Sequence, residues 1–440
     1  MAVTVRGDGP GRTTHVPPTD HRAASAAAPA AARLHWIDWL RVGAIAGVFV
    51  FHTLRPFNAD GWHVKNAEMS ADLSILMGIF WSFGLAVLFL LSGAGARFAL
   101  RRRTWVAFLR ERVARLIVPF VVAGVLVLSP IQAFIEATHR GTYSGSFLEF
   151  AVRWVTGALN PLDWTLSPTV FGLGYHLWFL GFLFAISVVA LPLLGGLGGR
   201  RGRAAIDALA RRLVWPGTTL AFAIPIVVLM SLGVLLGTEE HDWFEFWWYF
   251  AYFVIGFLLV SDERLLAAIR RDLWPALGTA VVSTLVLTVT PVAGLLASME
   301  SGLDGPHFLA GVLFGLEGWA WTIVILNVGM RAARLQAPVS PRVGDAVLPV
   351  YVIHQPVILA VAFFVVGWPV GILPKWIVVF GASLAITLAL VELALRAPVT
   401  RVLLGARSRP ATRLVPAPDR VVGEPLAARP PERAHHAHPH

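Results

Sequence analysis

One apolar stretch near the start of the chain, residues 36–57 (WIDWLRVGAIAGVFVFHTLRPF), carries four ionisable side chains in a run otherwise suited to crossing a membrane. Arg41 and His52 are eleven residues apart, about three helical turns, so both leave one face at an axial separation of about 16 Å. Asp38 and Arg55 lie close to the same face, about one turn beyond Arg41 and His52. We call these four residues the first-helix stripe. Since ionisable groups inside a membrane are costly and usually line a polar interior, the stripe predicts a functional site. In the alternative interpretation, Arg41 and Arg55 anchor the helix at the membrane interface, and His52 is a hydrogen-bonded histidine at the helix end.

A pair of arginines, Arg112 and Arg115, forms a second candidate in the basic segment 101–120 (RRRTWVAFLRERVARLIVPF). This segment is predicted to be an amphipathic helix that runs into a membrane span. At the spacing i, i+3 both guanidinium groups can close on one anion, and arginine donates to phosphate in a bidentate fork. The alternative is an ordinary basic cytoplasmic loop that touches anionic lipid. A phosphate anchor here and a base at His52 would suit a long phosphorylated donor such as acyl-CoA.

Further polar and aromatic side chains lie at membrane depth. His354, in VYVIHQPVI, is either a second site histidine or the donor to a carbonyl that Pro356 leaves free. Glu317, in FGLEGWAW, needs a partner, and an arginine or histidine of the first-helix stripe is the predicted one. Trp178 lies at the start of a predicted span, in the segment YHLWFL. A belt of aromatic residues at the membrane interface accounts adequately for Trp178, but less well for the neighbouring His176.

The composition excludes several classes of protein. The chain has 440 residues, of which 56% are hydrophobic and only 14% charged, which is typical of a polytopic membrane protein. Its net charge of +10 is concentrated in particular loops and in the tails, so it indicates membrane topology and not nucleic-acid binding. The absence of cysteine excludes disulfides and thiolate chemistry. The sequence contains no Walker or HExxH motif, so we expect no metal site and no permanently bound cofactor.

Ten runs are long and apolar enough to span a membrane, so the predicted fold is all-α and polytopic. The loops between them alternate in charge, and by the positive-inside rule both termini are cytoplasmic. A membrane domain over 33–396 is therefore expected between disordered cytoplasmic tails, 1–32 and 397–440. The predicted spans are 37–57, 73–94, 116–136, 176–194, 217–236, 244–260, 275–298, 308–330, 346–366 and 375–396.

In order and topology these motifs resemble the membrane acyltransferase family 3. The HLWFL and IHQP forms are most similar to its glucan biosynthesis protein C branch, which is associated with modification of periplasmic glucans. The segments that carry the resemblance are 38–52 (DWLRVGAIAGVFVFH), 89–93 (FLLSG), 112–120 (RVARLIVPF), 176–180 (HLWFL) and 351–357 (YVIHQPV).

The resemblance implies a multi-pass enzyme of the cell membrane that moves an acyl group from cytoplasmic acyl-CoA to a hydroxyl of an outward-facing acceptor. Such an acceptor is often a sugar, as in O-acetylation of cell-envelope polysaccharide. The family's first-helix motif maps onto Arg41 and His52, and its RxxR pair onto Arg112 and Arg115. Together with the residues at membrane depth, the predicted catalytic set is His52, Arg41, His354, Asp38 and Glu317, and the predicted donor-binding set is Arg112, Arg115 and Trp178.

Two chemical roles are open for His52. A neutral imidazole can accept the proton of the acceptor hydroxyl as it attacks the thioester, or it can itself be acylated before transfer. In either case Arg41 would orient the donor or stabilise developing negative charge. The alternative function is a transporter of a polar or acylated solute, with the stripe lining its path. No paired, Gly/Pro-broken helices of the kind that mark inverted-repeat transporters are evident in the sequence.

Overall fold

The computed structural model describes residues 34–158, 167–237, 240–290 and 305–406, and over these it is helical without a β-strand. Short 3₁₀ segments, Pro168–Leu177 and Thr218–Phe222, lead into two of the helices. The helices are α1 (His35–Leu54), α2 (Ala71–Leu100), α3 (Trp105–His139), α4 (Phe147–Ala158), α5 (Trp178–Gly198), α6 (Arg200–Arg212), α7 (Ala223–Leu236), α8 (Trp243–Leu259), α9 (Glu263–Arg271), α10 (Leu273–Val289), α11 (Gly305–Arg331), α12 (Pro341–Val365), α13 (Ile372–Ala394) and α14 (Pro398–Leu403).

The all-α, polytopic membrane class predicted from the sequence is confirmed. Within the described ranges, eight helices are long and apolar enough to cross a membrane, and the pair α9 and α10, bent by 57°, makes a ninth if it is one span. The apolar helix α8 is shorter. Each of the ten predicted spans overlaps one of the described helices, and residues 291–298 of the seventh lie outside the described residues. The count of ten and the orientation of the termini stay predictions.

Helix α1 packs against α2, α11, α12 and α13. Its 20 residues give a length of about 30 Å at 1.5 Å per residue, which matches the hydrocarbon core. One face of α1 is exposed, whereas the side chains of Asp38, Arg41 and His52 are partly buried against the neighbouring helices.

Glycines set the close crossing of α2 and α8. A Cβ atom on Gly93 of α2 would lie 1.8 Å from the carbonyl oxygen of Phe253, and one on Gly256 of α8 would lie 1.9 Å from that of Leu90. Each helix therefore fits its backbone against a glycine of the other. In a membrane, where water provides no driving force between helices, small residues at such crossings permit the close packing that stabilises a bundle.

We expect Gly93→Ala to destabilise the protein by about 1–3 kcal/mol, because the added methyl group overlaps the Phe253 backbone and the helices must separate. The measurement is the thermal unfolding midpoint of purified protein in detergent. Gly78→Ala in the same helix is the control, since a Cβ there meets no atom within 4 Å. An unfolding midpoint for Gly93→Ala as high as that of Gly78→Ala would contradict the crossing.

The loop 58–70, between α1 and α2, is held by the two lysines of the chain. The Lys65 ammonium donates to the carbonyl oxygens of Arg55 (2.8 Å) and Asn58 (2.5 Å). The buried Lys375 ammonium of α13 donates to the Asn66 side-chain oxygen (2.7 Å) and to a backbone carbonyl. Burial and the neighbouring Arg55 lower the pKa of Lys65 to about 8. These bonds fix the loop, which holds Trp62 beside the end of α1.

The last described segment follows the predicted membrane domain. Residues up to 406 are described, and α14 lies within them, started by Pro398 at its first turn. Arg401 of α14 is mostly buried and forms an ion pair with Asp345 of α12 (2.9 Å). This ion pair ties the segment to the bundle, and the predicted domain boundaries stay predictions. The rest of the predicted C-terminal tail, and the predicted tail 1–32, lie outside the described residues.

Candidate active site

Two histidines from opposite ends of the chain meet inside the bundle. The Nδ1 atom of His52, near the end of α1, lies 2.8 Å from the Nε2 atom of His354 in α12. The other ring nitrogen of His354, Nδ1, lies 2.6 Å from the carbonyl oxygen of Tyr351. His354 is buried and His52 is half-buried. The sequence predicted both as site histidines, and the structure places them in direct contact.

The hydrogen bonds decide which nitrogen carries each proton. A carbonyl oxygen only accepts, so the Nδ1 atom of His354 must donate to Tyr351, and in the neutral ring Nε2 then carries a lone pair. That lone pair accepts from the Nδ1 proton of His52. The Nε2 atom of His52 is left as a lone pair without a hydrogen bond from any described residue. The contact thus orients His52 as a base or nucleophile.

A third histidine, His176, is bound to the same turn of α12. Its Nε2 atom lies 3.2 Å from the carbonyl oxygens of both Tyr351 and Val352. Pro356 has no N–H group to donate to the carbonyl four residues earlier, so Val352 has an oxygen available. The Tyr351 hydroxyl donates back to the His176 carbonyl. The carbonyl freed by the proline, proposed above as a partner of His354, is therefore taken by His176.

These side chains line one small cavity of about 60 Å³. His52 and His176 are its imidazoles, and their ring centres are 6.3 Å apart at a steep angle. His354 lies behind His52 and does not line the cavity. A cavity needs about 10–15 Å³ on a comparable measure to hold one water molecule, so this space is large enough for a small acyl group. The other lining residues are apolar or aromatic: Val48, Phe51, Phe80, Trp81, Leu85, Trp178, Tyr249 and Tyr351.

Trp178 forms part of the cavity wall at the start of α5. Its ring stacks on His241 with a centroid separation of 4.3 Å, and it tilts against Tyr249. The sequence predicted Trp178 as a donor-binding residue together with the arginine pair. The structure places it with the histidines, so any contact with the donor would be near the acyl group and not the phosphates.

Backbone strain occurs directly beside His176. Tyr175 has φ 51° and ψ −132°, a conformation that favours glycine and costs about 1–3 kcal/mol for other residues. The strained bend directs the Tyr175 hydroxyl toward Glu136 of α3 (3.3 Å), which also binds His63 of the loop 58–70 (2.7 Å). Strain of this kind persists when surrounding contacts hold it, and here it directs two neighbouring side chains to opposite sides. It sets the position of His176.

Arg41 does not reach His52, although both lie on one face of α1. Its guanidinium donates to Asp38 (3.0 Å) and to the carbonyl oxygen of Leu91 in α2 (2.7 Å). Gly95 leaves room for it, because a Cβ there would lie 2.8 Å from the guanidinium. Eleven residues of helix separate the two side chains, and the predicted role of Arg41 in orienting the donor or stabilising negative charge stays a prediction. Asp38, predicted as catalytic, likewise lies at the arginine end.

The arginine predicted to bind phosphate lies next to Arg41. Arg112 of α3 donates to the Ser92 carbonyl oxygen, one residue along α2 from the partner of Arg41, at 3.4 Å. It also lies over the Phe108 ring at 5.0 Å, and it has no carboxylate partner among the described residues. Arg112 experiences repulsion from both Arg41 and Arg115. Three cations therefore share this end of the bundle.

Arg115 completes this arginine cluster, which we define as Arg41, Arg112 and Arg115. Its Nε atom donates to the carbonyl oxygen of Gly405 beyond α14 (3.3 Å), and Glu111 lies 3.8 Å away. It belongs to a π-helical segment of α3, Val113–Ile117, a geometry frequent at functional sites. Among the described residues, Asp38 pairs with Arg41 and Glu111 with Arg115, and the three guanidinium groups at this end of the bundle are of the type that binds phosphate.

Glu317 belongs neither to the histidines around the cavity nor to the arginine cluster. This buried carboxyl of α11 accepts from the Thr284 hydroxyl of α10 (2.6 Å) and interacts with Ser82 of α2. The candidate partner from the sequence, an arginine or histidine of the first-helix stripe, does not contact Glu317 in the described residues, so that prediction is wrong. A hydroxyl suffices because α11 packs directly on α10 and α2, and Gly318 brings the Ser82 backbone close. Glu317 thus has no contact with the histidines in the described part of the chain.

The sequence did not predict which apolar side chains line the cavity or which backbone carbonyls bind the histidines. The Tyr351 carbonyl, which orients His354, has no sequence signal of its own. The signal for His176 was present, since an aromatic belt left it unexplained and Pro356 announced a free carbonyl. The three imidazoles do not form a metal site in the described residues, because their bonds run to one another and to carbonyls.

Most of the chain matches a known protein family. The family model of the acyltransferase domain, acyltransferase 3, matches residues 34–392, which include every residue of the two groups described above. Glucans biosynthesis protein C of Salmonella paratyphi B is 22% identical over 390 residues, covering 86% of this chain and 96% of the relative. The same protein of Salmonella paratyphi A is 23% identical over the same shares. No solved structure matches the chain.

Proposed function

Because the chain belongs to the acyltransferase 3 family of multi-pass membrane proteins, we propose that it is an O-acyltransferase that uses acyl-CoA and an outward-facing hydroxyl acceptor, a sugar or glycan of the cell envelope. The observation that carries this proposal is the unpaired Nε2 lone pair of His52 at a small apolar cavity. An imidazole with its other nitrogen engaged is oriented for proton transfer.

In the proposed reaction, His52 Nε2 accepts the proton of the acceptor hydroxyl while the hydroxyl oxygen attacks the thioester carbonyl. The imidazolium that forms keeps its Nδ1–H bond to His354, which Tyr351 holds in the accepting tautomer. The carbon–sulfur bond then breaks, and the proton passes to the leaving thiolate. The products are an ester and a free thiol, so atoms and charge balance.

The arginine cluster at the other end of α1 supports acyl-CoA as the donor. Arg41 and His52 are separated by about 16 Å along the helix axis. The arginine cluster supplies guanidinium groups for phosphate, and the cavity accommodates a small acyl group. A donor with phosphates at one end of a long arm and a thioester at the other matches this separation. By the loop charges, the arginine cluster faces the cytoplasm, where acyl-CoA is made, and the membrane is the cytoplasmic one.

A covalent variant uses the same nitrogen. If His52 Nε2 attacks the thioester carbon, the carbon–sulfur bond breaks, the thiolate leaves and an acyl-imidazole forms, while the Nδ1 proton passes to His354. The acceptor oxygen then attacks the acyl carbon and the carbon–nitrogen bond breaks. The acceptor's proton passes to the thiolate, and His354 returns the Nδ1 proton to His52. Both routes use the same two histidines. The mass of the intact protein after mixing with donor alone distinguishes the two routes, because only the covalent route adds an acyl mass.

The proposal predicts an acyl group on the cell envelope that depends on this protein. Mass spectrometry of envelope glycans and lipids from cells with and without it should show a lost acyl mass. Purified protein should also release free thiol from an acyl-CoA when an acceptor is present. Flux of a solute across liposomes without thiol release would contradict the enzyme and favour a transporter.

A further inference from the structure

The cavity that His52 lines has two kinds of wall. Four of its lining residues are buried and pack into the core: His176, Trp178, Tyr249 and Tyr351. Three aromatic side chains from α1 and α2 form a second wall nearer the surface of the bundle. Of these, Trp81 is 39% exposed, and Phe51 and Phe80 are half-buried. Because the core closes the first wall, a longer occupant of the cavity would have to extend past the second.

Phe80 is fixed in this second wall by two glycines. A Cβ atom on Gly47 of α1 would lie 3.0 Å from the Phe80 ring, and one on Gly84 of α2 would overlap the ring. The ring therefore lies close to the backbones of both helices. It also stacks on Phe51 at 5.3 Å and meets Phe83 edge-on at 5.6 Å. An aromatic side chain packed on several sides moves aside only at a cost, since close-packed interiors resist overfilling.

The space that this wall encloses is small. At about 10–15 Å³ for each water molecule, a cavity of about 60 Å³ has room for about four to six of them. An acetyl group fits such a volume, whereas a hexanoyl chain would have to displace the wall. One methylene group too many in an apolar pocket lowers the use of a substrate about 10–200-fold.

We propose that Phe80 limits the length of the transferred group, so that the enzyme takes a short acyl donor such as acetyl-CoA and rejects longer chains. This inference rests on the proposed function, in which the reacting end of acyl-CoA occupies the cavity, and adds the class of acyl group to it. The helix surface near the wall is apolar, because Val50, next to Phe51, and Leu76, one turn from Phe80, are exposed. A chain that passed Phe80 would therefore meet lipid, so the ring itself sets the limit.

The test measures thiol release by purified protein from acetyl-CoA, butyryl-CoA and hexanoyl-CoA, with methyl glucoside as the acceptor probe. We expect kcat/KM to fall at least about tenfold from the acetyl to the hexanoyl donor. Equal values for the three donors would overturn the inference and leave the proposed function in place. If none of the donors releases thiol, the proposed function fails and the inference fails with it.

Two variants at the wall extend the test. Phe80→Ala should raise kcat/KM for hexanoyl-CoA at least about tenfold relative to that for acetyl-CoA, because the chain can then extend past the wall. Phe80→Leu keeps more of the packing and should shift the ratio in the same direction. A loss of stability would lower both rates together and leave their ratio unchanged, so the ratio reports specificity.

The matched control is Phe83→Ala, which removes a ring from the same helix. Phe83 lies outside the cavity lining and contacts Trp321, so its variant should keep the wild-type ratio. An unchanged ratio in both Phe80 variants, or an equal shift in Phe83→Ala, would overturn the inference.

Discussion

Replacing His52 with glutamine is expected to lower turnover at least about a hundredfold and to leave a folded protein that still binds acyl-CoA. Glutamine preserves a hydrogen bond to His354 but cannot accept a proton usefully. His52→Ala should be about equally inactive. Both variants are measured by steady-state thiol release, with donor binding and membrane abundance as checks on the fold.

A purely structural histidine would give the opposite pattern. Glutamine would then restore activity by keeping the bond to His354, and alanine would lower the amount of protein in the membrane. An active and stable His52→Gln enzyme would contradict the proposed base. The catalytic assignment would in that case move to His354, the buried partner.

Changing Arg112 and Arg115 together to alanine is expected to weaken donor affinity more than tenfold. Each charge-assisted hydrogen bond contributes about 1.5–3 kcal/mol, and a factor of ten corresponds to about 1.4 kcal/mol. Arg41 should remain in place through Asp38 and the Leu91 carbonyl. The measurement is the dissociation constant for acyl-CoA, compared with that for the dephosphorylated pantetheine thioester. The double variant should bind the pantetheine thioester as wild type does.

The matched control removes the same charge from the same region. Arg101 and Arg110 are exposed, and Arg110 lies on α3 close to the RxxR pair. Arg101→Ala with Arg110→Ala should leave donor affinity within about twofold, because exposed charges are screened. Normal acyl-CoA binding by the Arg112 and Arg115 variant would show that the arginines serve only to orient the protein in the membrane.

Local features of the sequence were sufficient to identify the chemistry on each helix. The spacing of Arg41 and His52 placed both on one face of α1, because side-chain direction follows from 3.6 residues per turn. Apolar runs of about 20 residues predicted spans, because a helix in lipid must satisfy its own backbone. The i, i+3 spacing likewise placed Arg112 and Arg115 together. These properties depend on neighbours within a few turns.

The partners of these residues depend on helix packing, which spacing along one helix does not encode. His52 meets His354 because α1 and α12 pack together, although 302 residues separate the two histidines in the chain. Arg41 joins Arg112 and not His52, because adjacent carbonyls of α2 bind both guanidinium groups. Glu317 bonds to Thr284, because α11 packs on α10. Sequence alone therefore determined which groups face the bundle interior, and only the tertiary structure decided their partners, since contacts across helices come from how whole helices fit together.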